Sequence, residues 1–283
     1  MAKRLEISLE LPIQQLGISE LLDFDFLLAH LVLSHPAYRD FYVKQSEKGR
    51  RSMLDNGMWE HGGNPPLTLE DLCTAIGIIQ PTEVIVPDIL YDPEKTLENA
   101  KEWFKMQEWH PVLSECSYHL VVQGRTFGEA LDSYKRLLQM AREQNRKMKV
   151  NHEKQAVVTI SFPLGIGCAN KEKDSWAPMR EAIVANLALK HEYDPTIKIH
   201  LMSIQCPAEI NRYLQMNDIP IKSFDTGAPV RAAMAGLKYD AETGLGERVD
   251  GVLNPDDKLT CDQVQILLHN ISVLRKFTGH GSA

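Results

Sequence analysis

The sequence predicts an α/β fold in which parallel strands alternate with helices through one domain, residues 1–283. Short β-rich runs and longer segments of helical period alternate along the chain to its end. No Ser/Gly linker, low-complexity tract or shift of composition divides it. With 43% hydrophobic and 24% charged residues among 283, it can bury one large core.

Strands are expected at residues 24–33, 51–55, 83–87, 118–123, 156–163, 198–204 and 221–225, with a poorer eighth at 251–253. Several are short apolar runs closed by an acid, a glycine or a proline. Val84-Ile85-Val86 ends at Pro87, and Met53-Leu54 ends at Asp55 before Gly57. Helices are expected between them at 68–79, 93–107, 126–145, 175–191 and 207–216, with a last one at 260–276 over the bottom or side. Thr68 caps the first, with Glu70 and Asp71 in its opening turn, and Asp92 caps the second before Pro93. Seven to eight parallel strands close a barrel, so the expected architecture is a single irregular (β/α)8 TIM-like barrel.

Composition narrows the function. No apolar run approaches the roughly 18 residues of a membrane span, and Met-Ala-Lys-Arg-Leu-Glu does not open a secretory signal, so a cytoplasmic protein is expected. Cys73, Cys116, Cys168, Cys206 and Cys261 are odd in number and far apart, which fits reduced thiols better than disulfides or a zinc knuckle. No metal site and no cofactor are expected. A net charge of −7 gives no global attraction to nucleic acid, so such a partner needs a local basic patch.

The active site of a barrel lies at the C-terminal ends of its strands, and acids collect there in this sequence. Asp225 ends an apolar run and precedes Thr226-Gly227-Ala228-Pro229-Val230-Arg231. A carboxylate so placed is held by rigid backbone on one side and open on the other, as a nucleophile needs. Asp55 sits in the same context, and two such acids suit nucleophilic plus acid/base chemistry. Asp88, Gln123, the glycines Gly165 and Gly167, and Met202 stand at further strand ends. Acids, an amide, open glycine backbone and a thioether can grip a flat purine-like ring, sandwiched between Trp59 and Met202. Each residue has a plainer role as well. A strand-end Asp caps a following helix, Trp59 and Met202 suit a core, Gly165-x-Gly167 suits a turn, and His61, His119 and His200 suit ordinary satisfied positions.

Six segments in order resemble the tRNA-guanine transglycosylase superfamily, which exchanges guanine for a 7-deazaguanine base on an irregular TIM barrel. They are Asp55-Asn56-Gly57-Met58-Trp59, Asp88, Val122-Gln123-Gly124, Leu164-Gly165-Ile166-Gly167, His200-Leu201-Met202-Ser203 and Asp225-Thr226-Gly227-Ala228-Pro229-Val230-Arg231. The resemblance implies Asp225 as nucleophile and Asp55 as general acid/base. It implies Trp59 and Met202 on the two faces of the base, with Asn56, Asp88, Gln123, Gly165 and Gly167 binding its edge. The zinc cluster of the tRNA-acting members has no counterpart after Asp225, which points to the phage and bacterial branch that modifies DNA. The implied partners are DNA and a 7-deazaguanine base of the preQ0 type, with a homodimer as one possible assembly. A small-molecule base exchanger or N-glycoside hydrolase, or a tRNA enzyme, is the alternative. Phosphate contacts are expected from Lys44, Lys48, Arg50 and Arg51, from Arg142, Arg146, Lys147 and Lys149, and from Arg231. The Arg142–Lys149 run more often reads as a solvated helix face.

Overall fold

The computed structural model describes residues 4–63, 67–113, 115–151, 157–163, 176–216 and 219–280. Eight parallel strands form one sheet: β1 (Glu6–Leu9), β2 (Asp25–Leu28), β3 (Ser52–Asp55), β4 (Glu83–Ile85), β5 (Ser117–Val121), β6 (Val158–Phe162), β7 (Ile199–Leu201) and β8 (Ile221–Thr226). The order β1-β8-β7-β6-β5-β4-β3-β2 follows the chain around a barrel. At the seam between β1 and β2, Asp23 N–H donates to Ile7 O at 3.0 Å and Ser8 Oγ to Phe24 O at 2.7 Å. The sheet is therefore nearly closed, and the TIM-like α/β barrel is the architecture of the chain.

The helices are α1 (Ala29–Ser34), α2 (Pro36–Glu47), α3 (Leu69–Ile79), α4 (Pro93–Gln107), α5 (Phe127–Asn151), α6 (Trp176–Lys190), α7 (Pro207–Leu214), α8 (Ala228–Met234) and α9 (Cys261–Phe277). Capping sets several of their starts. Thr68 and Asp71 form a reciprocal capping box at α3, Thr260 and Gln263 another at α9, and Asp92 accepts from Lys95 N–H at α4. Among the described residues no helix is long and apolar enough to cross a membrane.

Three expectations need correction. The first expected strand stops at Leu28, and Ala29 opens a helix; a continuous apolar run carries no period that separates strand from helix. Residues 251–253 form no strand, and the place in the sheet belongs to β1, beside β8. The helices α2 and α8 were not foreseen, although each begins with a proline in its first turn, where the missing N–H costs nothing.

The lumen is unusually polar at its N-terminal end. Arg51, just ahead of β3, pairs with Glu6 and Glu83, and Lys222 Nζ reaches Glu83 at 3.3 Å from the opposite wall. Higher up, the rings of His119 on β5 and His200 on β7 meet edge to face at 5.3 Å. Next to His200, the register between β7 and β8 slips by one residue. Ile199 pairs with Ile221 but His200 with Ser223, so Lys222 is an extra residue in β8. Both Lys222 and Ser223 consequently turn inward, one to Glu83 and the other to His200.

Candidate active site

The strands deliver their acids and amides to one end. Asp55 closes β3, Asp225 is the penultimate residue of β8, and Asp88, Gln123, Met202 and Glu10 follow β4, β5, β7 and β1. All of them line a single cavity of about 270 Å³. Trp59 stands on its rim with 42% of its surface exposed, and the half-buried Met202 lies on its wall.

One wall is a fixed hydrogen-bond pattern. Asp88 accepts from Asn56 Nδ2 at 2.8 Å and from Gln123 Nε2 at 2.7 Å. Each amide oxygen is pinned in turn, Asn56 Oδ1 by Met58 N–H and Gln123 Oε1 by Tyr91 N–H, both at 2.9 Å. The two amides therefore cannot flip without losing a bond. Each keeps a second N–H, and the Asp88 carboxyl keeps lone pairs, for a planar ligand. Burial raises the Asp88 pKa, and the two amide donors oppose that rise.

The other wall holds the candidate acids Asp55 and Asp225. Asp55 Oδ1 accepts from Gly57 N–H at 3.0 Å. Gly57 has φ of +77°, and a Cβ there would lie 2.4 Å from His30 Nδ1, so only glycine lets the chain turn beneath Asp55. Burial, followed by the charge of Glu60, drives the Asp55 pKa well above the ordinary carboxylate range. A carboxyl that holds its proton near neutrality can act as a general acid. Asp225 is held at both oxygens, Oδ1 by His200 Nε2 at 2.9 Å and Oδ2 by Ser203 N–H at 3.3 Å. Ser203 has a positive φ of 55°, a conformation that turns its N–H back to the carboxylate. Among the described residues no Lys or Arg forms an ion pair with Asp225.

Sequence reasoning missed three members of this wall. Glu10 follows a strand that was not foreseen, Glu60 lies in the turn after Asp55, and His200 was treated as an ordinary satisfied histidine. Burial raises the Glu10 carboxyl to about 7, against the pull of Arg231, and raises Glu60 to about 8 with Glu10 adding to the effect. Carboxyls whose pKa is higher folded than unfolded contribute fully below the unfolded value near 4.5; that contribution is lost as pH rises through about 7 and about 8. The folded state is thus expected to lose stability between pH 5 and 8.5, by up to about 1.4 kcal/mol per pH unit for each group. Urea titrations across that range check it. Glu60→Gln should flatten the decline, and an unchanged slope would mean that Glu60 does not hold its proton.

The residues foreseen as phosphate contacts divide sharply. Arg231 lines the cavity, with Nε donating to Val249 O at 3.0 Å. Arg50 and Arg51 do not approach it. They stand ahead of β3 at the N-terminal end of the barrel, where Arg50 holds Asp25 at 2.9 Å and Leu22 O at 2.9 Å, and Arg51 holds Glu6 and Glu83. Arg146 and Lys147 are exposed in the later part of α5, which runs back from the cavity end to the opposite face. Gly165 and Gly167 lie outside the described residues, as does Cys168. Among the described residues no three His, Cys, Asp or Glu side chains are grouped to hold a metal ion.

No protein-family model matches the chain, and no curated protein matches it.

Proposed function

We propose that the chain is a base-exchange glycosyltransferase that replaces guanine in DNA by a 7-deazaguanine base through a covalent aspartyl intermediate. The observation that carries this reading is the division of the cavity into two walls. One bears a carboxylate braced at both oxygens beside a proton-holding acid, and the other a planar pattern of amides around Asp88.

In the first half-reaction an Asp225 oxygen attacks C1′. The bond from C1′ to the guanine nitrogen breaks, and its electron pair leaves with the base, which takes a proton from Asp55. The second half-reaction reverses these steps. Asp55 removes the ring proton of the incoming base, whose nitrogen attacks C1′ as the bond to Asp225 breaks. Two inversions restore the original configuration. Asn56, Asp88 and Gln123 read the edge of each base, while Trp59 and Met202 bound its faces. Guanine within a duplex must be flipped out, at a cost of a few kcal/mol, so single-stranded or opened DNA is the favoured substrate.

A second reading, base exchange or hydrolysis on a free nucleoside, is favoured by a specific observation. Arg50, Arg51, Arg146 and Lys147 stand away from the cavity, and the mouth is rich in carboxyls. Intact-mass spectrometry after mixing the protein with guanine-containing DNA, RNA or free nucleoside tests both readings. A DNA adduct that resolves into modified DNA on adding a 7-deazaguanine base supports the first, and absence of any adduct removes both. Salt dependence gives an independent check. A polymer held through several phosphates should bind about 10³-fold more weakly or worse between 50 and 200 mM salt, whereas a nucleoside should scarcely respond.

A further inference from the structure

The barrel lumen contains two Ser–His–acid arrays of the same design, and they differ in one respect. In the lower array, Ser161 Oγ meets His119 Nδ1 at 2.9 Å and His119 Nε2 meets Glu83 at 2.6 Å. In the upper array, Ser223 Oγ meets His200 Nδ1 at 2.9 Å and His200 Nε2 meets Asp225 at 2.9 Å. Both histidines are fully buried. Glu83, however, is also gripped by Arg51 and Lys222. The His119 hydrogen bond, with those cations, holds its pKa far below the usual range against burial. With both oxygens engaged by Arg51, Lys222 and His119, it serves the closed end of the barrel. Asp225 has the ring N–H and one backbone N–H as its hydrogen-bond donors, and it faces the cavity.

From this contrast we infer that His200 is the positioning residue of Asp225: it fixes the plane of the carboxylate through a single N–H while leaving its remaining lone pairs free for attack. The inference rests on the base-exchange reading. The carboxylate acceptor fixes a proton on Nε2, and the Ser223 hydroxyl meets the other ring nitrogen, so the ring cannot turn over without losing both bonds. Phe24, edge-on to the ring at 6.3 Å, and His119 at 5.3 Å close it in from just ahead of β2 and from β5. Without that donor, Oδ1 is free to swing, and a misplacement of about 1 Å at a reacting atom costs about 100-fold in rate.

Three variants separate aiming from mere support of the core. His200→Leu removes the donor. His200→Gln returns an amide N–H near the position of Nε2, toward Asp225. His200→Asn places its N–H near the position of Nδ1, toward Ser223. The measurements are the single-turnover rate of covalent adduct formation, by quenched intact-mass spectrometry with a guanine-containing DNA oligonucleotide, and calorimetric affinity for the free 7-deazaguanine base. His200→Leu and His200→Asn should slow adduct formation about 100-fold, and His200→Gln should recover at least about a tenth of the wild-type rate. Base affinity should stay within about twofold, because the base-reading wall is untouched. If His200→Leu fails to fold, the Gln and Asn pair still carries the comparison. Equal rates for Gln and Asn, or a wild-type rate in either Leu or Asn, would overturn the inference. A wild-type protein that forms no adduct would instead overturn the base-exchange reading on which it stands.

Discussion

Replacement of Asp225 by Ala should reduce turnover by about 10⁴-fold or more, the scale on which removal of one member of a concerted catalytic unit is felt. No neighbouring carboxyl can take its place. Asp55 and Glu60 hold their protons by burial, Glu10 titrates only near 7, and Asp88 is engaged by two amides. Base affinity should hardly change, since the amide wall is built on β3, β4 and β5 and does not pass through β8. Asp225→Asn should be almost as inactive despite its shape. Its carbonyl can accept from His200, but its NH₂ then faces the Ser203 N–H, and two donors oppose each other. Steady-state exchange of labelled base, with calorimetry of the free base, measures the two effects separately. Activity within about 100-fold of wild type in Asp225→Ala would remove the covalent mechanism.

The largest expected effect on stability lies behind the site. Arg180 of α6 is completely buried and donates to Glu209, to Tyr213 Oη at 3.1 Å, to Phe162 O at 3.3 Å and to Met202 O. It thereby ties the ends of β6 and β7 to α7. Glu209→Ala should cost about 3–5 kcal/mol, because it leaves a buried guanidinium without its counter-charge. The same carboxylate accepts from Gln205 N–H at 2.9 Å, so the segment after β7 loses an anchor too. The double change Arg180→Met with Glu209→Leu should be milder than Glu209→Ala alone, since no isolated charge remains. Urea unfolding of the three proteins decides the matter, and a Glu209→Ala variant within about 1 kcal/mol of wild type would show that solvent reaches Arg180.

How much of this was legible depended on what each residue faces. Asp55, Asp88, Gln123 and Asp225 could be found because the apolar runs before them mark strands and the fold places strand ends at the site. Glu10 could not, because the strand before it went unread: Glu6 and Ser8 alternate with Leu5, Ile7 and Leu9, and their polar side looks like a solvent face although it meets the lumen. Arg50 and Arg51 misled in a different way. They are five and four residues from Asp55 in sequence, but a strand rises about 3.3 Å per residue, so about 13 Å or more separates them along the strand. The pairing of His200 carried no local signal, since its partner Asp225 lies on the next strand, 25 residues away.

The extra residue in β8 governs more than the shape of that strand. Side chains along a strand alternate between two sides, so inside or outside is a matter of odd or even count. Had β8 paired with β7 without its slip, Lys222 would take the place of Ser223 opposite His200, Phe224 would enter the lumen and Asp225 would face the surrounding helices. Deletion of Lys222 would remove the extra residue itself and leave Ser223 opposite His200 and Asp225 in the lumen, whereas a residue added between Ser223 and Asp225 would turn Asp225 out of the lumen. The position of Lys222 should therefore tolerate loss better than the strand after it tolerates insertion.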